Sequence, residues 1–191
     1  MTYLFFDTET TGFHSPKKHP DDPKQGRICQ LAMILTDKNG RTLTEFSTLI
    51  AQKTSLMTEG AYNIHGISGE MCDTYGVKPR MALQTFRIIA RKAKLIVAHN
   101  IDFDWKMIVG ECNGEALEPP TSALFCTMKN TTNICKIPKS SGSAYKWPSL
   151  AEGLKFFCDK DIGEDAHDAM VDTRACKDIF FALKEKGYLE A

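Results

Sequence analysis

The chain opens on a short apolar run, Tyr3 to Phe6, that leads directly into the polar segment Asp7-Thr8-Glu9-Thr10-Thr11-Gly12. A short run this rich in aromatic residues predicts a β-strand. Side chains alternate between the two faces of a strand, so the carboxylates of Asp7 and Glu9 share one face. Two negative charges this close repel each other, and such a pair usually persists because a cation neutralises it. The start of the chain is therefore a candidate metal site.

Two further strands are predicted downstream of the first. The segments Ile28 to Leu35 and Thr42 to Ile50 are rich in apolar and β-branched residues, and the Asn-Gly pair in Asp37-Lys38-Asn39-Gly40 between them is a strong hairpin signal. The segment from His14 to Gly26 is rich in Pro and Lys, which predicts a surface loop after the first strand. The chain therefore begins as a three-stranded antiparallel meander.

The second half of the chain alternates helical patterns with short apolar segments. Pro79 opens a helix whose apolar stripe is Ala82, Phe86, Ile89 and Ala93. A second helical pattern covers Phe103 to Cys112, and Gly187 caps a last helix whose stripe is Val171, Ala175, Ile179 and Ala182. Leu95 to Ala98 and Ala123 to Cys126 have the pattern of short buried strands. A meander followed by alternating helices and strands indicates an α/β fold with a mixed sheet.

Length and composition narrow the class of protein. The 191 residues predict a single domain over residues 1–191. Lys and Arg together number 24, as do Asp and Glu, so the chain has no net positive charge that would attract nucleic acid as a whole. Any binding of nucleic acid must therefore depend on a local basic surface. The seven cysteines, without a Cys-x-x-Cys pair, fit reduced thiols better than a disulfide framework or a zinc site. No apolar run approaches the roughly 18 residues that cross a bilayer, and we expect a cytoplasmic protein without membrane contact.

Two further acidic segments lie at the ends of predicted elements. The segment from His99 to Trp105 follows the strand that ends at Ala98, and ligands in open α/β sheets gather at such strand ends. The segment from His167 to Asp172 opens the last helix. Three acidic motifs at element ends suggest that their side chains converge on one site.

These three segments resemble the three exonuclease motifs of the DnaQ-like family, in the same order along the chain. The matching blocks are Asp7-Thr8-Glu9-Thr10-Thr11-Gly12, His99-Asn100-x-x-Phe103-Asp104 and His167-x-Ala169-x-x-Asp172. The histidine in the third block is typical of the DEDDh branch, which includes proofreading subunits, ribonuclease T and oligoribonuclease. The resemblance implies a ribonuclease H-like fold, an α/β mixed sheet flanked by helices.

The resemblance also implies a role for each motif residue. Asp7, Glu9, Asp104 and Asp172 would hold two divalent ions, and His167 would be the general base. Four carboxylates and two divalent ions are together close to neutral, and oxygen ligands favour Mg²⁺ or Mn²⁺ over zinc. Two such ions can clamp a scissile phosphate, and imidazole exchanges protons near neutral pH.

Spacing alone leaves alternatives for the second and third motifs. Asp102 competes with Asp104, because either could cap the helix that follows. His167 and Asp172 are roughly 140° apart on a helix, so both reach one site only if His167 lies before the helix or in its first turn. Asp168 and Asp172 share a face, and we interpret Asp168 as the N-cap because the family pattern places the acid five residues after the histidine.

Contacts with substrate are predicted around the first two motifs. Phe13 follows the first motif, where relatives often have an apolar residue that packs on terminal bases; packing in the core is the alternative. His65 belongs to a block, Ile64-His65-Gly66-Ile67, that is common in the family near the substrate, although a packing role is the simpler reading. Backbone groups around Thr8 and Thr10 could bind the terminal nucleotide. The predicted substrate contacts in this part of the chain are Thr8, Thr10, Phe13, His65, Asn100 and Phe103.

A separate basic stretch lies between Pro119 and Ala151. It contains no acidic residue but has Lys129, Lys136, Lys139 and Lys146 together with Tyr145 and Trp147. We therefore expect Lys139 and Lys146 to follow the phosphates of an incoming single strand, with a solvated loop as the alternative.

The sequence therefore predicts a metal-dependent 3′–5′ exonuclease that releases nucleoside 5′-monophosphates from single-stranded DNA or RNA. The form of the first motif resembles proofreading DNA exonucleases, as used in DNA repair, more than oligoribonuclease, so DNA is favoured. The alternatives are an RNA-trimming exoribonuclease of the same family and a catalytically silent domain that binds nucleic acid or a polymerase. The chain stops four residues after Gly187, so we expect a free-standing nuclease; its oligomeric state stays open. Gln30, where relatives often carry an acid, departs from the family pattern.

Overall fold

A mixed five-stranded sheet forms the centre of the computed structural model, which describes residues 1–13, 15, 17–18, 22, 25–140, 142, 144–164 and 166–189. Within these residues the strands are β1 (Thr2–Thr10), β2 (Ile28–Asp37), β3 (Thr42–Leu49), β4 (Leu95–Ala98) and β5 (Ala123–Cys126). The strand order is β3-β2-β1-β4-β5. The first three strands are antiparallel, whereas β4 is parallel to β1 and β5 is parallel to β4. The predicted meander with added parallel strands is confirmed.

Helices cover both faces of this sheet. Across the described residues the helices are α1 (Glu59–His65), α2 (Gly69–Tyr75), α3 (Pro79–Ala90), α4 (Ile101–Gly114), α5 (Thr127–Cys135), α6 (Leu150–Cys158) and α7 (Ala169–Glu185). The helix α7 packs on one face of the sheet, and α6 packs on α7. The helices α3 and α4 pack on the other face. This layering brings the N-termini of α4 and α7 toward the sheet from opposite sides.

The strand β1 has a separate apolar face for each layer. Tyr3 and Phe5 point toward α7, where their ring centroids lie 5.0 and 5.3 Å from that of Phe180. Phe6 points to the opposite layer and lies 5.1 Å from the ring of Phe86 on α3. All five rings are buried. Because successive side chains of a strand alternate, the face that carries Tyr3 and Phe5 continues into the acidic end of β1.

Most of the predicted elements are confirmed, and three details are wrong. Ala93, which was predicted on the apolar stripe of α3, lies beyond the end of that helix at Ala90. Ala123 and the neighbouring Leu124 are exposed because β5 is an edge strand. The buried stripe of α7 also differs from the predicted one, since Val171 and Ala182 are only half-buried. The buried residues of α7 are Ala169, Thr173, Ala175, Cys176, Ile179, Phe180 and Leu183. The predicted loop from His14 to Gly26 lies partly outside the described residues.

All seven cysteines are free thiols. Among the helices of the described ranges, none has the length and apolar character that crossing a bilayer requires.

Candidate active site

The two acids of the first motif lie side by side on β1. Asp7 is opposite Ala32 of β2, and Glu9 is opposite Gln30. Both continue the face of the strand that Phe5 begins, so the aromatic packing against α7 fixes the direction in which they point. The register of β1 and β2 shifts directly after Glu9. The shared face predicted for Asp7 and Glu9 is confirmed.

The second motif brings Asp104 to the same end of β1. The helix α4 begins three residues after β4 ends, and Asp104 lies in its first turn with only 3% of its surface exposed. Its Oδ1 accepts hydrogen bonds from the Thr8 backbone nitrogen at 3.2 Å and from the Thr8 hydroxyl at 2.7 Å. Asp102 instead forms an ion pair with Lys129 at 2.6 Å near the surface. The structure therefore brings Asp104, and not Asp102, to the acidic end of β1.

The third motif approaches from the α7 layer. Asp168 is the N-cap of α7, and its Oδ1 accepts hydrogen bonds from the backbone nitrogens of Met170 and Val171. His167 lies before the helix with a φ of 70°, which turns the chain sharply there. Its backbone nitrogen donates to the Asp172 carboxylate at 3.4 Å. This placement meets the condition for His167 and Asp172 to reach one site.

The motifs converge as the sequence predicted. One ligand atom from each of Glu9, His167 and Asp172 lies within 4.8 Å of the other two. Asp7 and Asp104 belong to the same electrostatic cluster, because Asp104 raises the pKa of both Asp7 and Glu9, and Glu9 also raises that of Asp7. Residues from the first strand, the fourth helix and the last helix thus surround one small volume.

The electrostatics of this cluster are unfavourable without a counter-charge. Burial, followed by repulsion from Asp104, Asp172 and Glu9, raises the pKa of Asp7 well above its ordinary value. Burial and the nearby Asp172 raise the pKa of Glu9 to about 8. Burial raises the pKa of Asp104 to about 7 although the hydrogen bonds from Thr8 oppose this shift. The principal causes of these three shifts include no Lys or Arg side chain.

The cluster fits a hard divalent cation. Carboxylate oxygens dominate its lining, with one imidazole beside them, and no hydrogen bond within the described part of the chain is made to the carboxylate of Asp7 or Glu9. These oxygens are therefore available to a metal ion. Oxygen donors of this kind favour Mg²⁺ or Mn²⁺, and a bound cation would reverse the pKa shifts that the carboxylates impose on each other.

A cleft of about 340 Å³ adjoins Glu9. Phe13 at its rim is 86% exposed, so packing in the core is excluded for this residue, and its ring meets that of Phe103 edge-on at 6.3 Å. Ile64 of α1 adds a further apolar side chain that is 58% exposed. Five of the predicted substrate contacts line this one cleft, namely Thr8, Thr10, Phe13, His65 and Phe103.

His65 has a fixed position between β1 and α1. Its Nε2 donates to the Thr10 carbonyl at 3.1 Å, and its Nδ1 accepts from the Ile67 backbone nitrogen at 3.0 Å. Both ring nitrogens are used, and burial lowers the pKa of the imidazole. His65 therefore lines the cleft as a neutral side chain that holds α1 against the end of β1.

The remaining predicted contacts lie elsewhere. Asn100 is exposed at the N-cap of α4 in the left-handed region, with a φ of 61°, and does not line the cleft. Lys146 forms an ion pair with Glu152 at 2.6 Å, and Lys139 is exposed. Thr8 lines the cleft, but both of its hydrogen-bond donors are directed to Asp104. Thr8 therefore has no hydrogen-bond donor left for the predicted contact with the nucleotide.

Two features of the site were absent from the sequence-based prediction. The helix α1 forms one wall of the cleft, and its local signals are only its two caps, the Thr58 hydroxyl that accepts from Ala61 and Gly66 with a φ of 69°. Gln30 bonds both the Asp168 side chain and the Ala169 backbone, which no local pattern could indicate because its partners are 138 and 139 residues away.

Comparisons with known proteins agree with this geometry. The sequence profile of the exonuclease family matches residues 4–180. A comparison with curated proteins gives no match. Similar solved structures include the zinc-ion-bound form of the E. coli ExoI–ssDNA complex, with a TM-score of 0.75 and 20% identity over 98% of this chain and 41% of that chain. E. coli exonuclease I in complex with a dA16 oligonucleotide has a TM-score of 0.75 and 18% identity, again over 98% and 41%.

Exonuclease I in its apo form is similar as well, with a TM-score of 0.71 and 20% identity over 96% of this chain and 42% of that chain. The chain thus spans about two fifths of the length of these structures. At this identity the likeness establishes the fold, and the ribonuclease H-like fold that the sequence predicted is confirmed.

The carboxylate cluster predicts an unusual dependence of stability on pH. Glu9 titrates near its ordinary value of 4.5 in the unfolded chain and at about 8 in the folded protein. Between these values the folded state binds more protons, so the contribution of Glu9 to the free energy of unfolding decreases as pH rises. In EDTA at pH 8, the free energy of unfolding of Glu9→Gln should therefore be higher than that of wild type, and the difference should be smaller at pH 5. Urea denaturation at the two pH values measures both.

Saturating Mg²⁺ or Mn²⁺ should reverse this order. At a free metal concentration 100 times Kd, wild type gains about 2.7 kcal/mol, and Glu9→Gln gains less because it has lost a ligand. Glu118→Gln serves as the control, since Glu118 is exposed and outside the cluster. Parallel pH profiles for wild type and Glu9→Gln in EDTA would contradict the repulsion described here.

Proposed function

The chain belongs to the exonuclease family, and on this premise we propose that it removes nucleoside 5′-monophosphates from the 3′ end of single-stranded nucleic acid, with DNA favoured over RNA. The observation that carries the proposal is the convergence of four carboxylates and a histidine from three distant segments, without a basic side chain among the principal causes of their pKa shifts. We treat residues 1–191 as one exonuclease domain.

The four carboxylates have the role of metal ligands in this proposal. Asp7, Glu9, Asp104 and Asp172 would hold two Mg²⁺ or Mn²⁺ ions. Such ions, when bound, polarise the scissile phosphate, promote ionisation of the attacking water and stabilise the leaving 3′ oxygen. Thr8 orients Asp104 through two hydrogen bonds to a single oxygen, which leaves the second carboxylate oxygen available for coordination.

His167 has the role of general base. Its side chain is exposed and lies beside Glu9 and Asp172, so a water molecule at the cluster is within reach of the imidazole. Its position before the helix, with a positive φ, directs the ring toward the cluster and not along the face of α7.

The cleft beside Glu9 would receive the terminal nucleotides. Phe13 and Phe103 present ring surface and edge in a position where an unpaired base can stack, and such stacking tolerates any base. Removal of nucleotides regardless of sequence requires this kind of tolerant contact. The preference for DNA rests on the form of the first motif and on the single-stranded DNA present in the similar exonuclease I complexes.

The basic stretch would lead the strand toward the cleft. Lys139 is exposed, and Trp147 nearby in sequence is 64% exposed. His99 connects this stretch to the second motif, because its ring nitrogens bond Thr127 and the Pro148 carbonyl at 2.9 and 3.1 Å. The ion pair with Glu152 reduces the charge that Lys146 offers to a phosphate, so Lys139 has the larger predicted effect.

The proposal predicts a ladder of products from 5′-labelled oligonucleotides. Single-stranded DNA and RNA of the same sequence are incubated with Mg²⁺ or Mn²⁺, and the strand should shorten from its 3′ end. EDTA should abolish the ladder. Asp7→Asn and Asp104→Asn should lower the rate by more than about 100-fold, since the loss of even an outer-sphere partner of a metal costs 10- to 100-fold.

Asp102→Asn is the matched control for Asp104→Asn. Both acids lie in the first turn of α4, but Asp102 is exposed and paired with Lys129. This variant should retain the wild-type rate. A ladder on RNA alone would establish the exoribonuclease alternative, and no ladder on either strand, together with stabilisation by metal, would favour a catalytically silent binding domain.

Phe13→Ala should weaken binding of single strands. The loss of one stacked base costs about 1 to 3 kcal/mol, so we expect KM to rise by about 5- to 150-fold with little change in kcat. The Tm should stay constant because Phe13 is exposed. Tyr75→Ala is the control, as Tyr75 is 75% exposed and does not line the cleft. Equal KM values for the two variants would exclude Phe13 from the binding site.

Lys139→Ala should reduce the salt dependence of binding. Loss of one phosphate contact lowers the slope of log affinity against log salt concentration by about 0.7 for a single strand. Lys38→Ala is the control, because Lys38 is exposed in the β2–β3 turn at the opposite end of β1 from Glu9. A slope that Lys139→Ala leaves unchanged would assign the basic stretch to the solvated surface.

A further inference from the structure

Gln30 is a buried amide beside the carboxylate cluster. It lies on β2 directly opposite Glu9, and only 8% of its surface is exposed. A buried amide needs hydrogen-bond partners for both its nitrogen and its oxygen, because an unpaired polar group in the interior is costly. The partners of Gln30 therefore indicate its role.

Both ends of the amide bond the start of α7. The Nε2 of Gln30 donates to Oδ2 of Asp168 at 2.8 Å, and its Oε1 accepts from the Ala169 backbone nitrogen at 3.0 Å. The other oxygen of Asp168 caps the helix at the next two backbone nitrogens. One side chain of the sheet thus fixes both the capping residue and the first residue of α7.

The residues on either side of this attachment are members of the cluster. His167 immediately precedes Asp168, and Asp172 follows within the first turn of α7. Gln30 itself shares its register position with Glu9. The distance from Glu9 on the sheet to His167 and Asp172 therefore depends on how firmly the start of α7 is held to β2.

From these contacts we propose that Gln30 is a positioning residue, which sets the placement of His167 and Asp172 relative to Glu9. This inference rests on the function proposed above. In this chain an amide suits both partners, because it donates to the Asp168 carboxylate and accepts from the Ala169 backbone nitrogen at once. Glutamate at this position would retain the acceptor but would place a second carboxylate against Asp168, and lysine could not accept from Ala169.

Two variants separate the hydrogen bonds from simple packing. Gln30→Met keeps a side chain of similar length but removes both bonds, and Gln30→Glu keeps the shape and removes the donor. The control is Thr36→Val on the same strand and the same face. Thr36 is fully buried, and its hydroxyl has no hydrogen-bond partner among the described residues, so the substitution removes a polar group without removing a hydrogen bond to α7.

The first measurement is hydrogen exchange of the backbone amides at the start of α7, which does not depend on activity. In Gln30→Met the Ala169 amide loses its acceptor, and its exchange should be about two- to tenfold faster, in keeping with the loss of one hydrogen bond. Thr36→Val should leave it unchanged. If the Ala169 amide exchanges at the wild-type rate in Gln30→Met, the proposal is overturned, whether or not the protein is a nuclease.

The second set of measurements is Mn²⁺ affinity and the kinetics on one oligonucleotide. We expect the Mn²⁺ affinity and the kcat of both Gln30 variants to be about 10- to 100-fold lower than those of wild type, because outer contacts of metal ligands have effects of this size. The KM for the oligonucleotide should be unchanged. Faster exchange without loss of Mn²⁺ affinity or of kcat would overturn the positioning role. Absence of hydrolysis by wild type would refute the proposed function, and exchange and Mn²⁺ affinity would still decide the role of Gln30.

Discussion

Repulsion among four carboxylates is the constraint that the rest of the structure must meet. Burial raises the pKa of all four carboxyl groups, Asp7, Glu9, Asp104 and Asp172, and repulsion from Asp104 and Asp172 raises those of Asp7 and Glu9 further. Such a cluster opposes folding, so the surrounding packing must supply the free energy that holds it together. The aromatic rings of β1 and α7 meet this need, because the same strand that carries Asp7 and Glu9 also carries Tyr3 and Phe5 on the same face.

The arrangement of β1 explains how one site collects residues from both layers. Odd-numbered side chains of the strand face α7, which brings Asp172 and His167, and Thr8 on the opposite face bonds Asp104 from α4. The strand is also the middle strand of the sheet, so it is bonded on both sides and offers little freedom of movement. A rigid central strand with different partners on its two faces is well suited to hold reacting groups in fixed geometry.

Much of the fold and the acidic cluster could be predicted because their signals are local. The alternation of Asp7 and Glu9, the Asn39-Gly40 turn and the block around Asp104 each occupy a few consecutive residues. The short helices α1, α2, α5 and α6 escaped prediction because helices of seven to nine residues depend on caps such as Ser149 and on tertiary contacts. The role of Gln30 could not be predicted, since a single amide gives no pattern and its partners lie far along the chain.

The distance in sequence between the members of the cluster has a consequence for synthesis of the protein. Glu9 belongs to the first strand, whereas His167 and Asp172 come with α7, the last of the described helices to leave the ribosome. A growing chain that has already formed part of the sheet therefore lacks two members of the cluster. By the mechanism proposed above, such a chain cannot hydrolyse a phosphodiester bond, so incomplete copies pose no hazard to the nucleic acids around the ribosome.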